Sequence, residues 1–187
     1  MSARLPPLTR AEIDDETADE LCASFPRAEK FFAGPQPPAM PDVLGLLARH
    51  PAVAGPWLGF SAAVLDGGVL DARTRELLIL ATARRTGVGY VWDEHVAMAP
   101  ASGVSADDIE ALATNDREHW NGQERALLCA VDELVEDQRV GDATWSALAA
   151  DHDGRALLEV LFVVGSYSCL AMVLNSAGLA AEQKEPT

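Results

Sequence analysis

His95 stands in the stretch YVWDEHVAMA, residues 90–99, among two acids, a tyrosine and a tryptophan. An imidazole so placed can serve as a general base, bind a metal, or decorate a helix surface. At helical spacing Trp92, His95, Val96 and Ala99 share one face. That face is otherwise apolar, so the ring is expected to point inward, while Asp93 and Glu94 fall on other faces and are expected in solvent. A core histidine satisfied by a backbone carbonyl is the plainer alternative.

Glu76 bears on that choice. It sits early in ARTRELLILATARRT, beside the inward residues Leu77 and Leu80, and a glutamate there is either at the edge of the face or buried with a partner. The short connection Gly87-Val88-Gly89 implies two antiparallel helices. Glu76 lies eleven residues before that turn and His95 six after it, an axial offset of roughly 7–8 Å at the helical rise. A carboxylate within reach can hold an imidazole in one tautomer and raise its basicity. The competing reading is a surface Glu76 paired with Arg73 or Arg75.

Other chemistries find less support. No H-E-x-x-H is present and no second histidine lies one turn from His95, since His50, His119 and His152 fall in loops. No metal site is expected. There is no G-x-S-x-G, no dinucleotide fingerprint and no P-loop. Cys22, Cys129 and Cys169 are scattered, odd in number and without a C-x-x-C, which argues for a reducing cytoplasm and against a disulfide framework. Cys129 and Cys169 fall in apolar helical stretches and read as small core residues. Tyr167, Asn175 and Glu159 are polar residues in the apolar run 156–174 or at its end. Each must find a partner, whether structural or in a pocket.

The elements that carry these residues are helical throughout. Thr9 with Glu12 reads as a capping box before a helix through Ala18, Leu21, Cys22 and Phe25. GPQPPAMP, residues 34–41, breaks helix and makes an extended connection. Asp42 is a cap for a helix over 43–49, and a further short helix runs through Trp57, Phe60 and Val64 to Gly67-Gly68. Asp71 caps the helix bearing Glu76, which Gly87 stops. The His95 helix spans about 89–102. Ser105 with Asp108 opens the next, Asn121 caps 122–138 with Leu127, Val131, Leu134 and Val135 inward, and Asp142 caps 143–150. A last helix closes at Gly178. No stretch alternates with period two, so an all-α bundle is expected. Residues 1–41 read as a helix and extended arm, and 42–187 as the helical domain.

The chain has 187 residues, 49% of them hydrophobic, with 14 basic and 29 acidic side chains and a net charge of −15. That field repels phosphate backbones and anionic lipids, so neither nucleic acid nor a membrane surface is an expected partner. The N-terminal residues lack the apolar run of a signal peptide. ALLEVLFVVGSYSCLAMVL is long enough to span a bilayer, but it holds Glu159, and its flank AAEQKEPT gives no strong positive anchor. It reads instead as a helix buried on nearly all sides. A small bundle rarely covers a helix completely, so a neighbouring subunit is expected to help.

The segment LDARTRELLILATARRTGVGYVWDEHVAMAPASGVSADDIEAL, with its R-E-L-x-I-L, Y-x-W-x-x-H and G-V-S elements, resembles the carboxymuconolactone decarboxylase family, which includes alkylhydroperoxidase D-like proteins. The LPPL opening, the LARHP turn and LFVVGSYSCLAMVLNSAGL extend the resemblance over most of the chain. It implies an alkylhydroperoxidase D-like helical bundle, assembled as a homo-oligomeric trimer or hexamer with sites near subunit contacts. In the peroxidase branch a C-x-x-C precedes the histidine, but those positions here are Val88 and Val91. Its glutamate and histidine match Glu76 and His95. The Tyr90-x-Trp92-x-x-His95 form resembles the decarboxylase-type branch, which acts without metal or organic cofactor in the catabolism of aromatic compounds. The resemblance implies a cytoplasmic lyase in which His95 moves a proton and Glu76 orients it. Arg73, Arg75, Tyr90, Trp92, Tyr167 and Asn175 are the candidate substrate-binding residues. The substrate is expected to be a small carboxylate or lactone, and related hydrolysis or isomerisation stays open. A redox protein using Cys22, Cys129 or Cys169, and a non-catalytic ligand-binding oligomer, are the alternatives.

Overall fold

The computed structural model describes residues 3–179. The AAEQKEPT flank, read above for its weak positive charge, lies outside the described residues, as do Met1 and Ser2. Among the described residues the regular structure is helical, and the all-α expectation holds. The helices are α1 (Asp15–Ser24), α2 (Glu29–Phe32), α3 (Asp42–Leu47), α4 (Pro51–Asp66), α5 (Ala72–Thr86), α6 (Gly89–Met98), α7 (Ala106–Thr114), α8 (Gly122–Asp137), α9 (Asp142–Ala149) and α10 (Gly154–Ala177). They group into two compact units, one of residues up to Gly67 with Ser176–Leu179, the other centred on Gly68–Asn175.

In the first unit α1 and α4 pack together, and Leu21, Ala28, Leu44, Ala54 and Leu58 are buried between the segments. The Thr9–Glu12 pairing forms, with the Glu12 carboxylate accepting from the Thr9 N–H at 2.8 Å and from its hydroxyl at 2.7 Å. It closes only a 3₁₀ turn, Arg10–Glu12. The helix proper has its own cap, Asp14, whose carboxylate accepts from the Thr17 N–H. Gly45 of α3 meets the N-terminal strap directly. Its carbonyl accepts from the Leu8 N–H at 3.0 Å, and a Cβ at this position would lie 2.3 Å from the Leu8 carbonyl oxygen. Only glycine fits that approach without a backbone shift.

The second unit is organised around α5, which packs against α6, α7 and α8. Eight consecutive residues of α5, Glu76 to Ala83, are buried. The arginines sit near its ends, at Arg73, Arg75, Arg84 and Arg85, and the buried Thr82 hydroxyl donates back to the Leu78 carbonyl at 2.7 Å. The local punctuation follows the sequence closely. Asp71 caps α5 through the Thr74 N–H, Ser105 and Asp108 form a capping box on α7, and Asn121 caps α8. Gly87, Gly103 and Gly178 all take left-handed φ at helix ends, where a side chain would be strained.

Helix α10 departs from expectation. It is long and apolar enough to cross a membrane by length and composition, yet within this chain it is two-faced rather than buried all round. Val160, Val163, Val164, Ala171 and Leu174 are buried. On the opposite face Leu158, Phe162 and Met172 are 53%, 48% and 63% exposed, and Gly165 and Cys169 between them are exposed as well. Those five positions step by four, three, four and three residues, the spacing of a coiled-coil seam. Cys169 is therefore a surface residue of that seam and not a core residue. The helix whose middle is enclosed by its neighbours is α5, because three other helices pack around it.

Candidate active site

The turn between α5 and α6 brings Glu76 and His95 together. Gly87 reverses the chain with φ of 68°, and Val88 anchors the turn at 1% exposure. The His95 Nδ1 lies 2.8 Å from Glu76 Oε1, with side-chain exposures of 12% and 9%. Glu76 is thus a buried acid with a partner. Neither arginine competes for it, because Arg73 binds Asp108 and Glu124 and Arg75 donates to the Leu70 carbonyl.

The other ring nitrogen also has a partner. The Tyr167 hydroxyl, from α10, lies 3.2 Å from His95 Nε2, and the two rings meet edge to face with centroids 5.4 Å apart and planes at 82°. An ionised carboxylate only accepts, so Glu76 places the proton of the neutral imidazole on Nδ1. Nε2 is then a lone pair aimed at the phenolic O–H. In the imidazolium form both nitrogens donate, to Glu76 and to the Tyr167 oxygen. The three side chains form a line along which a proton can pass from phenol to imidazole while the carboxylate stabilises the resulting cation.

Residues 51–132 match the carboxymuconolactone decarboxylase family. Over that segment the chain is similar to members of that family. The matched region includes Glu76 and His95, while Tyr167 lies beyond it. No functionally curated protein matches the chain in sequence. Among solved structures, the chain is similar to the alkylhydroperoxidase AhpD core of an uncharacterized peroxidase-related protein from Ralstonia eutropha JMP134. That pair has a TM-score of 0.76 at 17% identity, over 97% of this chain and 93% of that one. It is likewise similar to the debrominase Bmp8, with a TM-score of 0.75 at 13% identity, over 96% and 92% of the two chains. A cysteine-to-alanine variant of Bmp8, in complex with 2,3,4-tribromopyrrole, gives 0.74 at 13% identity, over 98% and 94%. What these structures share with this chain is the alkylhydroperoxidase D-like helical fold.

The remaining candidates of this carboxymuconolactone decarboxylase-type fold are dispersed. Tyr90 is buried at 4% and Trp92 half-buried on α6. Asn175, expected to be buried, is exposed. Its Nδ2 donates to the Thr86 carbonyl at 3.0 Å, tying the end of α10 to the end of α5. Glu159 accepts from the N–H groups of Val69 and Leu70 at 2.5 and 3.3 Å, holding the loop before α5. Leu134 and Val135 are half-buried and line a cavity of about 220 Å³ with Thr86, Met172 and Asn175. The peroxidase-type cysteine positions, Val88 and Val91, are buried valines.

One polar cluster is invisible in local spacing. Arg73 binds the Asp108 carboxylate through both Nη1 and Nη2, at 2.7 and 3.1 Å, and Glu124 at 2.8 Å. His119 Nε2 lies 2.8 Å from the other side of Asp108, and Ser105 donates to it through N–H and hydroxyl. The Arg73 guanidinium, with His119 and Ser105, holds the Asp108 carboxyl well below the usual aspartate range. Asp108 in turn holds Arg73 more firmly protonated. This network clamps the start of α5 to α7 and α8, fixing the helix that carries Glu76.

Proposed function

We propose that the chain is an enzyme that performs acid–base chemistry on a small cyclic carbonyl compound, a lactone or a carboxylated lactone, at the Glu76–His95–Tyr167 line. The observation that carries this reading is the unbroken pair of contacts, 2.8 Å from carboxylate to Nδ1 and 3.2 Å from Nε2 to phenol. Loss of CO₂ from such a compound builds charge on carbon. In the imidazolium form, which Glu76 stabilises, Tyr167 delivers a proton to that carbon and His95 Nε2–H re-protonates the phenolate; the neutral ring left behind takes a proton from water before the next turnover. Hydrolysis or isomerisation would run through the same proton path, with Tyr167 and His95 activating water or moving a proton between carbons. A small ring as substrate is in keeping with the tribromopyrrole complex of the debrominase that shares the fold. The three thiols are free, and none stands at positions 88 or 91.

The same reading includes self-association. The exposed seam on α10 lies on the face opposite Tyr167, and a second copy seated on it would remove Leu158, Phe162 and Met172 from water. The test is turnover of a panel of small lactones, carboxylated lactones and aryl esters by the wild-type chain and by His95→Ala. Conversion of at least one lactone by the wild type, and its loss in the folded variant, supports the proposal. Equal conversion by both removes His95 from the chemistry and ends it.

A further inference from the structure

A second feature of the same unit lies away from His95. A cavity of about 460 Å³ opens between the C-terminal part of α5, α7 and α8, a volume in the range of small-molecule sites. Its floor includes Trp120, Leu112 and Leu128, buried at 2%, 7% and 4% exposure. Its charged wall is Arg84, Arg85 and Arg117 against Asp132 and Glu136, so three cations face two anions. On a chain with a net charge of −15, this is a local excess of positive charge.

The arginine donors are only partly used. Arg85 reaches Glu136 at 2.6 Å and Asp132 at 3.3 Å, and Arg117 Nη2 also binds Asp132. Arg84 places Nε and Nη2 on the Ala113 carbonyl at 3.2 and 3.0 Å. The Arg117 Nη1 is buried and meets no acceptor among the described residues. A buried donor without an acceptor is costly, and a charged one more so.

We propose that this cavity is a second ligand site, for a small carboxylate carried on an apolar ring. The Arg117 guanidinium, a third exposed, would turn its shielded and unpartnered Nη1 toward one carboxylate oxygen, and the adjacent Arg84 would take the other, where charge-assisted hydrogen bonds to guanidinium are strong. The ring would lie on Trp120 and the two leucines. Glu76, His95 and Tyr167 do not line the cavity. Arg84 is eight residues beyond Glu76 on the same helix, about 12 Å along its axis. The site is therefore separate from the proton line and does not depend on its being catalytic.

Calorimetric titration of the full chain with benzoate, benzamide and inorganic phosphate tests this, with soaked crystals to locate the probe. Benzoate is expected to bind once per chain in the cavity. Benzamide lacks the charge and phosphate lacks the ring, so each should bind about ten-fold or more weakly. Arg117→Gln is expected to weaken benzoate by a similar factor, and Arg84→Gln, on the exposed rim, provides a second variant should the first fail to fold. His95→Gln should leave the affinity unchanged. No saturable benzoate binding, phosphate binding as tight as benzoate, or a loss caused by His95→Gln and not by the arginine variants would each overturn the proposal.

Discussion

The Tyr167 hydroxyl meets His95 Nε2 at 3.2 Å, across 72 residues of sequence and from the opposite end of the second unit's chain. This contact gives the imidazole a donor on one side to match the acceptor on the other. Tyr167→Phe keeps the edge-to-face ring contact and removes only the hydroxyl. The expected result is an unchanged melting curve and a fall in turnover of about 10²–10⁴-fold, the usual worth of a positioned acid–base group. Steady-state kinetics on whichever lactone the wild type converts, beside a thermal melt, measures both.

The Arg73–Asp108 pair makes a separate prediction about stability. Asp108 is depressed in the folded chain, first through Arg73 and then through His119 and Ser105. A depressed carboxyl stabilises the fold fully above its unfolded value, about pH 4, and that stability drains as pH falls toward the folded value. Asp108→Asn is expected to cost about 2–3 kcal/mol at pH 7, on the low side for a broken buried pair because the Arg73 side chain is 33% exposed. The variant should also lose part of the acid sensitivity below pH 4. Urea unfolding at pH 7 and pH 3 reads both effects.

The α10 seam predicts how the chain assembles. Leu158→Lys with Met172→Lys places two charges on a face that is exposed in the single chain, so the fold should survive. Light scattering is expected to show a multimer for the wild type and a monomer for the double variant. A monomeric wild type would remove the seam from the account of assembly.

Local chemistry was the legible part of the sequence. Asp71, Ser105 with Asp108, Asn121, Gly87 and Gly103 act within a few residues of themselves, and each stands where its type and spacing placed it. The Glu76–His95 meeting was readable for the same reason, since a three-residue turn leaves two antiparallel helices one register. Long-range pairing was not readable. Arg73 is separated from Asp108 by 35 residues and from Glu124 by 51, and nothing in the periodicity of α5 distinguishes it from a surface arginine. Composition misled at α10, whose apolar residues run round the whole helix although this chain covers only one side. At Thr9 a real capping pair closed a 3₁₀ turn, because Asp14 offered the longer helix a better-placed cap.

Acid–base chemistry on the Glu76–His95–Tyr167 line depends on the direction in which that line is polarised, and long-range ¹H–¹⁵N correlation of the histidine side chains reads that direction at neutral pH. The neutral His95 ring is predicted to carry its proton on Nδ1, toward Glu76, with Nε2 an acceptor, and Glu76→Ala is predicted to abolish that preference. A neutral ring protonated on Nε2 in the wild type, or a tautomer indifferent to Glu76, would contradict it.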